Sequence, residues 1–374
     1  MPPKSLLAMA LEVDVGDNGM GMDIDGQESF KVSDAGTLQL LSQSQSNYHI
    51  NANGMSKASS PASSGAGTPG TGELYYNCKA SDIEKVSKLG AGASGVVFKA
   101  VHLPSKTLCA LKSINALDKA NRDQLLNEIR TLCNSPNAEG LVRFYGAFYD
   151  ADSGHINLAL EYMNGGSLED FCKAIPEQRL PEDVLAQVAG KILVGLRFLH
   201  HDRHMVHRDI KPGNLLMDLN GNPKITDFGI STSLENTVAQ CGTHVGTMNY
   251  MSPERLNNEP YSFPGDIWSI GLTFFELAVG QFPYDVNNGP LPFIIAVTTE
   301  AAPTVPAGFS PAFADFIDKC LQKDPALRPT AEQLLNHPWI AGAAAVDLAS
   351  FVRGLVPDAE QRLAQDAAIL AAKQ

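Results

Sequence analysis

Asp209, Lys211 and Asn214 lie within one short run, His207-Arg-Asp-Ile-Lys-Pro-Gly-Asn214, and Asp227 follows in Asp227-Phe-Gly229. A carboxylate, an ammonium and an amide at this spacing suit a reaction that offers little covalent chemistry to assist and instead needs positioning and charge neutralisation. Phosphoryl transfer is such a reaction. Asp209 would accept or orient the proton of an attacking hydroxyl, and Lys211 would face the transferred γ-phosphate. Asn214 and Asp227 would hold Mg²⁺ through hard oxygen ligands.

Upstream, Gly90-Ala-Gly92-Ala-Ser-Gly95-Val-Val97 fits the pattern G-x-G-x-x-G-x-V. The rival for such glycines is the dinucleotide-binding turn that opens a helix. Here Gly95 is followed by alternating Val-Val-Phe-Lys-Ala-Val, so the loop joins strand to strand. It would lie as a flap over nucleotide phosphates, where missing side chains let backbone N–H groups approach the oxygens. Ala110-Leu-Lys112 on the next strand supplies a cation, and Glu128 on the following helix a carboxylate that would aim Lys112 at the α- and β-phosphates. Singly, a strand lysine is usually solvated and a helix glutamate usually decorates a surface; their order and spacing give them weight. Ser252-Pro-Glu254 comes later, with Arg328 the expected buried partner of Glu254. His200, His201, His204 and His207 include H-x-x-x-H spacing, but no Cys or carboxylate completes a zinc set and His207 already belongs to the run above.

Hydrophobic periodicity supplies the elements that must position these groups. Residues 84–89, 96–102, 108–114, 142–149 and 156–161 read as strands, and 118–132 as a helix with Leu125, Ile129 and Leu132 on one face. After Asn164-Gly-Gly166 the pattern turns helical over 181–200, 264–279, 311–321 and 331–335, with a short hairpin at 215–217 and 224–226. A small β-rich half followed by a larger helical half predicts an α+β, two-lobed chain with a hinge near 161–166 and no internal repeat.

At 374 residues, 44% hydrophobic and 18% charged, the chain can bury a core, which excludes collagen-like, coiled-coil and wholly disordered classes. A net charge of −13 opposes a broad nucleic-acid-binding face. The six cysteines are scattered without C-x-x-C spacing, which fits a reduced compartment, and no apolar run is long enough for a membrane helix. A cytoplasmic protein is expected, with nuclear access also open, and neither nucleic acid nor membrane as a partner. Residues 1–80 are expected to be a flexible extension, because they are poor in apolar side chains and end in a Ser/Gly/Pro-rich run. The ordered domain is expected over 81–340, divided into 81–162 and 166–340. In the tail, 341–374, Leu348, Phe351, Val352 and Leu355 form one helical stripe and Pro357 separates a second helix. This tail is a candidate docking region.

Residues 83–340 resemble a eukaryotic protein kinase on the glycine loop, Lys112, His207–Asn214, Asp227–Gly229 and Glu254. The resemblance implies the bilobal kinase fold with ATP in the cleft between lobes and Mg²⁺ as cofactor. ATP contacts would come from Leu89, Gly90, Gly92, Gly95, Val97, Ala110 and Lys112. Leu160 would be the gatekeeper, and Glu161 and Met163 the hinge that hydrogen-bonds adenine. Lysine at position 211 resembles Ser/Thr and dual-specificity kinases rather than dedicated tyrosine kinases.

Val245-Gly-Thr-Met-Asn-Tyr-Met-Ser-Pro-Glu-Arg255 resembles the mitogen-activated protein kinase kinases, and Thr237 and Thr243 have the T-x₅-T spacing of their plant members. Stretches 131–142, 159–168 and 33–41 are similar to a plant subgroup that carries a C-terminal nuclear-transport-factor-like domain; this sequence runs to Gln374 without one. The resemblance implies a dual-specificity kinase that transfers the ATP γ-phosphate to Thr and Tyr in the activation loop of a downstream mitogen-activated protein kinase. It also implies activation by an upstream kinase of the cascade, a MAP kinase kinase kinase, through Thr237 and Thr243, whose phosphates would meet Arg208. A Ste20-like Ser/Thr kinase with other substrates is an alternative. A pseudokinase scaffold is a weaker one, because Lys112, Glu128, Asp209, Asn214 and Asp227 are all present.

Overall fold

The computed structural model describes residues 30–32, 37–40, 47–58, 78–92, 95–116, 129, 132, 138–175, 177, 179–227 and 248–373. The chain forms two compact units. The smaller comprises Met1–Leu126, Phe144–Tyr162 and Asp366–Gln374, and the larger Asn127–Arg143 and Met163–Gln365.

The smaller unit begins with an antiparallel meander, β1 (Phe30–Val32), β2 (Leu38–Leu40), β3 (Asn47–Asn51) and β4 (Gly54–Ala58), paired in sequence order. A flexible extension is expected over 1–80; within it, residues 30–32, 38–40, 47–51 and 54–58 instead form this sheet. Leu38 stands opposite Ile50, which stands opposite Met55, and all three are buried, so one apolar row crosses three strands. Strands of three to five residues in a Ser/Gly-rich context give too little periodicity to be seen in sequence. Their apolar row is completed by packing on a strand nearly a hundred residues away, β8 (below).

The main sheet holds β5 (Ile83–Gly92), β6 (Gly95–His102), β7 (Thr107–Asn115), β8 (Phe144–Asp150) and β9 (His155–Glu161) in the order β5-β6-β7-β9-β8, all antiparallel. Because side chains alternate across a strand, the register sorts its residues into two faces. Val97, Lys112 and Leu158 align, as do Lys99, Ala110 and Leu160, and these six share one face. On the other, Ala100, Cys109, Leu111 and Ala159 join Cys78 and Phe148 in a core cluster. Burial pushes the Cys78 thiol up to about 12 and the Cys109 thiol up to about 11.

In the larger unit β10 (Gly166–Ser167) pairs with β11 (Leu215–Met217), and β11 with β12 (Pro223–Ile225). The helices are α1 (Leu168–Ala174), α2 (Glu182–Arg197), α3 (Pro253–Leu256), α4 (Phe263–Val279), α5 (Pro290–Thr299), α6 (Pro311–Cys320), α7 (Ala331–Leu335), α8 (Pro338–Ala341) and α9 (Leu348–Leu355). A final helix, α10 (Ala359–Ala371), carries the chain into residues grouped with the smaller unit. Ser167 and Asp170 cap α1 reciprocally, and Glu182 and Asp183 place negative charge at the start of α2. α4 is buried around almost its whole circumference and ends at Gly280, which takes the left-handed conformation. α2 approaches the loop at Gly140 so closely that a Cβ on Gly195 would lie 2.7 Å from the Gly140 carbonyl oxygen. Helix α5 was not anticipated, since its short apolar run lacks a clear helical period.

Glu254 and Arg328 meet in the core of this unit. Each nitrogen of the guanidinium fork donates to one carboxylate oxygen of Glu254 at 2.8 Å. The remaining Arg328 N–H groups donate to the carbonyls of Gln322, Pro264 and Lys323, so all five donors of the fork are used. The guanidinium also lies 5.2 Å from the Trp268 ring. Burial pushes the Glu254 carboxyl up, but the hydrogen bonds and charge of Arg328 outweigh it and hold the group below the usual carboxylate range. Breaking such a pair strands a charge in the core. Arg328→Met is therefore expected to lower stability by about 3–5 kcal/mol in urea unfolding followed by circular dichroism. The pair's contribution is complete above the ordinary carboxylate range and lost as pH falls through the lowered value, so the gap between wild type and variant should narrow in acid.

Candidate functional site

The residues of the larger unit expected to carry transfer stand on one buried carboxylate. Asp266, in the first turn of α4 and 0% exposed, accepts the backbone N–H of His207 at Oδ2 (2.7 Å) and that of Arg208 at Oδ1 (2.8 Å). His200 Nε2 lies 2.8 Å from Oδ2, and the Tyr261 hydroxyl donates to Oδ1 at 3.0 Å. Burial pushes this carboxyl up; the hydrogen bond and charge of His200, the nearby His207 and the Arg208 amide outweigh it and hold it low. Arg208 needs this anchoring, because its φ of 73° lies in the left-handed region that costs a non-glycine residue about 1–3 kcal/mol. Its carbonyl is also fixed, accepting from Arg255 Nη1 at 2.5 Å.

From that anchored turn the next residues are aimed. Asp209 is 3% exposed, and its carboxylate accepts from Lys211 Nζ (2.9 and 3.1 Å) and Asn214 Nδ2 (2.7 Å). Asn214 Nδ2 also donates to the Asp209 carbonyl at 2.8 Å. The His207 ring accepts the Asp209 amide at Nδ1 (3.3 Å) and donates from Nε2 to the Thr226 carbonyl (3.0 Å), which selects one neutral tautomer. The Thr226 amide in turn donates to the Asn214 carbonyl at 3.0 Å. The next residue, Asp227, has φ 61°. Two turns are thus tied together, and they present Asp209, Lys211, Asn214 and Asp227.

Among the described residues no cluster of three or more His, Cys, Asp or Glu side chains has metal-ligating geometry. The donor set does suit Mg²⁺, which takes one or two protein oxygens and completes its shell with phosphate and water. With its amide nitrogen committed to Asp209, Asn214 has a carbonyl oxygen to offer, and Asp227 a carboxylate. Arg208 Nε is buried and has no hydrogen-bond partner among the described residues.

In the smaller unit Lys112 is 3% exposed and shares its face with Val97, Ala110 and Leu160. Glu161 stands opposite Cys109, so its side chain belongs to the other face. Leu89 is exposed on β5, and a Cβ on Gly90 or Gly92 would meet nothing within 4 Å. Gly95 differs. Its φ is +132° and an added Cβ would sit 2.3 Å from the Ser113 carbonyl oxygen, so only glycine can close the turn from β5 to β6 this near β7. Met163 is buried in the larger unit. Glu128, Thr237 and Thr243 lie outside the described residues.

Sequence reasoning missed Asp266, Arg255 and Tyr261, and it weighed His200 only as a metal ligand. One signal was available: Asp266 is the lone charged residue in the first three turns of a largely apolar helix. Tyr250 was missed as well. Its hydroxyl donates to the Glu276 carboxylate, and burial pushes both groups up.

Comparison with known proteins matches residues 83–340 to the protein kinase domain. The chain is 50% identical to mitogen-activated protein kinase kinase 3 of Arabidopsis thaliana over 91% of its own length and 65% of that relative's. It is 42% identical to mitogen-activated protein kinase kinase 2 of the same plant, covering 70% of this chain and 72% of the relative. A MAP kinase kinase of Saccharomyces cerevisiae is 40% identical, over 75% of this chain and 58% of the relative. The chain thus spans about two thirds or less of the first and last of these relatives.

If Asp266 sets the 207–209 turn, Asp266→Asn should loosen it, because the new amide turns a donor toward backbone donors. Amide hydrogen exchange at His207 and Arg208 is expected to quicken by an amount equivalent to about 1–3 kcal/mol, while amides of the β5–β9 sheet keep wild-type protection.

Proposed function

The chain belongs to the protein kinase family and within it to the mitogen-activated protein kinase kinases, and on that footing we propose that it transfers the γ-phosphate of ATP to Thr and Tyr in the activation loop of a mitogen-activated protein kinase. The observation that carries this reading is the state of Asp209. A general base must be held in reach of a hydroxyl and kept from wandering; here Lys211 and Asn214 grip the buried carboxylate, on a backbone turn fixed by Asp266. Asp209 would orient the acceptor hydroxyl and take its proton. Lys211, bonded to the same carboxylate, would neutralise charge on the group in transit. Asn214 and Asp227 would hold Mg²⁺, whose contribution when bound is to offset the charge of the phosphates.

The smaller unit supplies the nucleotide-handling groups. The turn closed by Gly95 would bring backbone N–H groups to the phosphates, Lys112 would hold the α- and β-phosphates, and Val97, Ala110 and Leu160 would form the apolar wall for adenine. Glu161 and Met163 would meet its polar edge through their backbones. The identity of the relatives as mitogen-activated protein kinase kinases supports the place in a kinase cascade: an upstream kinase as activator and a mitogen-activated protein kinase as substrate. Arg208 supports a phosphorylation switch through Thr237 and Thr243, since a phosphothreonine would give its buried, unsatisfied Nε an acceptor.

Asp209→Asn and Lys112→Met are each expected to cut transfer to a T-x-Y loop substrate by at least about 10²-fold while leaving the unfolding curve in place, as read by phosphate incorporation with mapped product sites. Full activity in both variants would overturn the mechanism, and product confined to other motifs would favour the Ste20-like alternative. The double variant Thr237→Asp, Thr243→Asp is expected to raise basal turnover in the same assay; no rise would place the switch elsewhere.

A further inference from the structure

Along α10 the less exposed positions are Ala359, Leu363, Asp366, Ile369, Leu370 and Lys373, spaced as one face of a helix. Asp366 interrupts that stripe with a carboxylate only 7% exposed. Its partner is Lys99 of β6, 267 residues earlier and 8% exposed. A second and more open ion pair, Lys373 with Glu84 of β5 at 2.6 Å, lies in the turn just beyond the helix end. Residues Asp366–Gln374 group with the smaller unit for this reason.

Two charges taken out of water add little over apolar contact, but they favour one register, since a slip would break the pair. Lys99 is also well placed to transmit that register. It shares a sheet face with Val97, Ala110, Lys112 and Leu160, and its Nζ lies 5.0 Å from the centroid of the Tyr162 ring. Tyr162 stands between Glu161 and Met163 in the chain. The contacts therefore run from the tail carboxylate through one ammonium to the ring at the adenine-binding segment.

We propose that the surface around Lys99 and Tyr162 is a docking site for an amphipathic helix end that carries a buried carboxylate, filled in this chain by its own residues 366–373, and that docking there strengthens nucleotide binding by steadying Glu161 and Met163. The occupant is α10 itself, seated through Asp366, and a partner that drew this helix away would loosen the nucleotide site from a distance. The coupling to nucleotide rests on the reading of residues 161–163 given above; the docking does not.

The test uses the full chain with Asp366→Asn, Asp366→Lys, Lys99→Asp and the swapped double variant Lys99→Asp, Asp366→Lys. Hydrogen exchange over residues 366–373, measured without nucleotide, reads docking. Titration with a fluorescent ATP analogue and Mg²⁺ reads affinity. The single variants are expected to lose protection of the helix and to bind nucleotide at least about fivefold more weakly, with both restored in part by the swap. Asp366→Asn keeps Lys99 in place, so its result stands even if Lys99→Asp fails to fold. Unchanged exchange in Asp366→Asn and Asp366→Lys would overturn the docking, and lost protection with unchanged affinity would overturn the coupling. A wild-type chain that binds no nucleotide would overturn the coupling together with the proposed activity, and the exchange data would still decide the docking.

Discussion

Asp266 is the interaction on which the transfer site depends. A carboxylate fully removed from water is tolerated only if every lone pair finds a donor, and here two backbone amides, an imidazole and a phenol supply them. The arrangement fixes more than its own cost would require. It holds the amides of two consecutive residues against one rigid helix, which lets Arg208 persist with a positive φ and turns Asp209 to where Lys211 and Asn214 can grip it. Without the helix there is no place to bury the carboxylate, and without the carboxylate the 207–209 turn loses the acceptor of two of its backbone amides.

The same logic, a polar group placed where only one geometry satisfies it, recurs through the molecule. Glu254 and Arg328 tie α3 to the segment before α7 with a fully used guanidinium fork. Lys99 and Asp366 fix the tail helix on the small sheet. Apolar burial supplies most of the stability in each unit, but it is indifferent to small slips. The buried charges decide which register is kept, and each lies next to a segment that carries a proposed function.

Much of this was legible in sequence, because the chemistry-bearing residues occur in runs whose spacing needs no tertiary information. The strands of the main sheet, the hairpin around residue 220 and helices α2, α4, α6 and α7 followed from period alone, and Arg328 from the need of a buried Glu254 for a partner. Three features did not follow. The meander at residues 30–58 uses strands too short to show alternation, and its apolar row exists only once they pair and pack on β8. Asp266 is a single letter in an apolar helix, and its meaning lies in backbone groups some 60 residues upstream. Asp366 is one carboxylate of the second tail helix, and its counter-charge on β6 lies 267 residues upstream.

Both tryptophans of the chain, Trp268 under the Arg328 guanidinium and Trp339 against Phe313 and Phe316, belong to the larger unit. Intrinsic indole emission from this protein is accordingly a one-sided optical reporter. It registers events around α4, α6 and α8, where both chromophores have their ring and cation neighbours. The smaller unit carries tyrosines instead, Tyr145, Tyr149 and Tyr162 among them. An indole introduced there, for instance in place of Tyr162, would give that half a colour of its own.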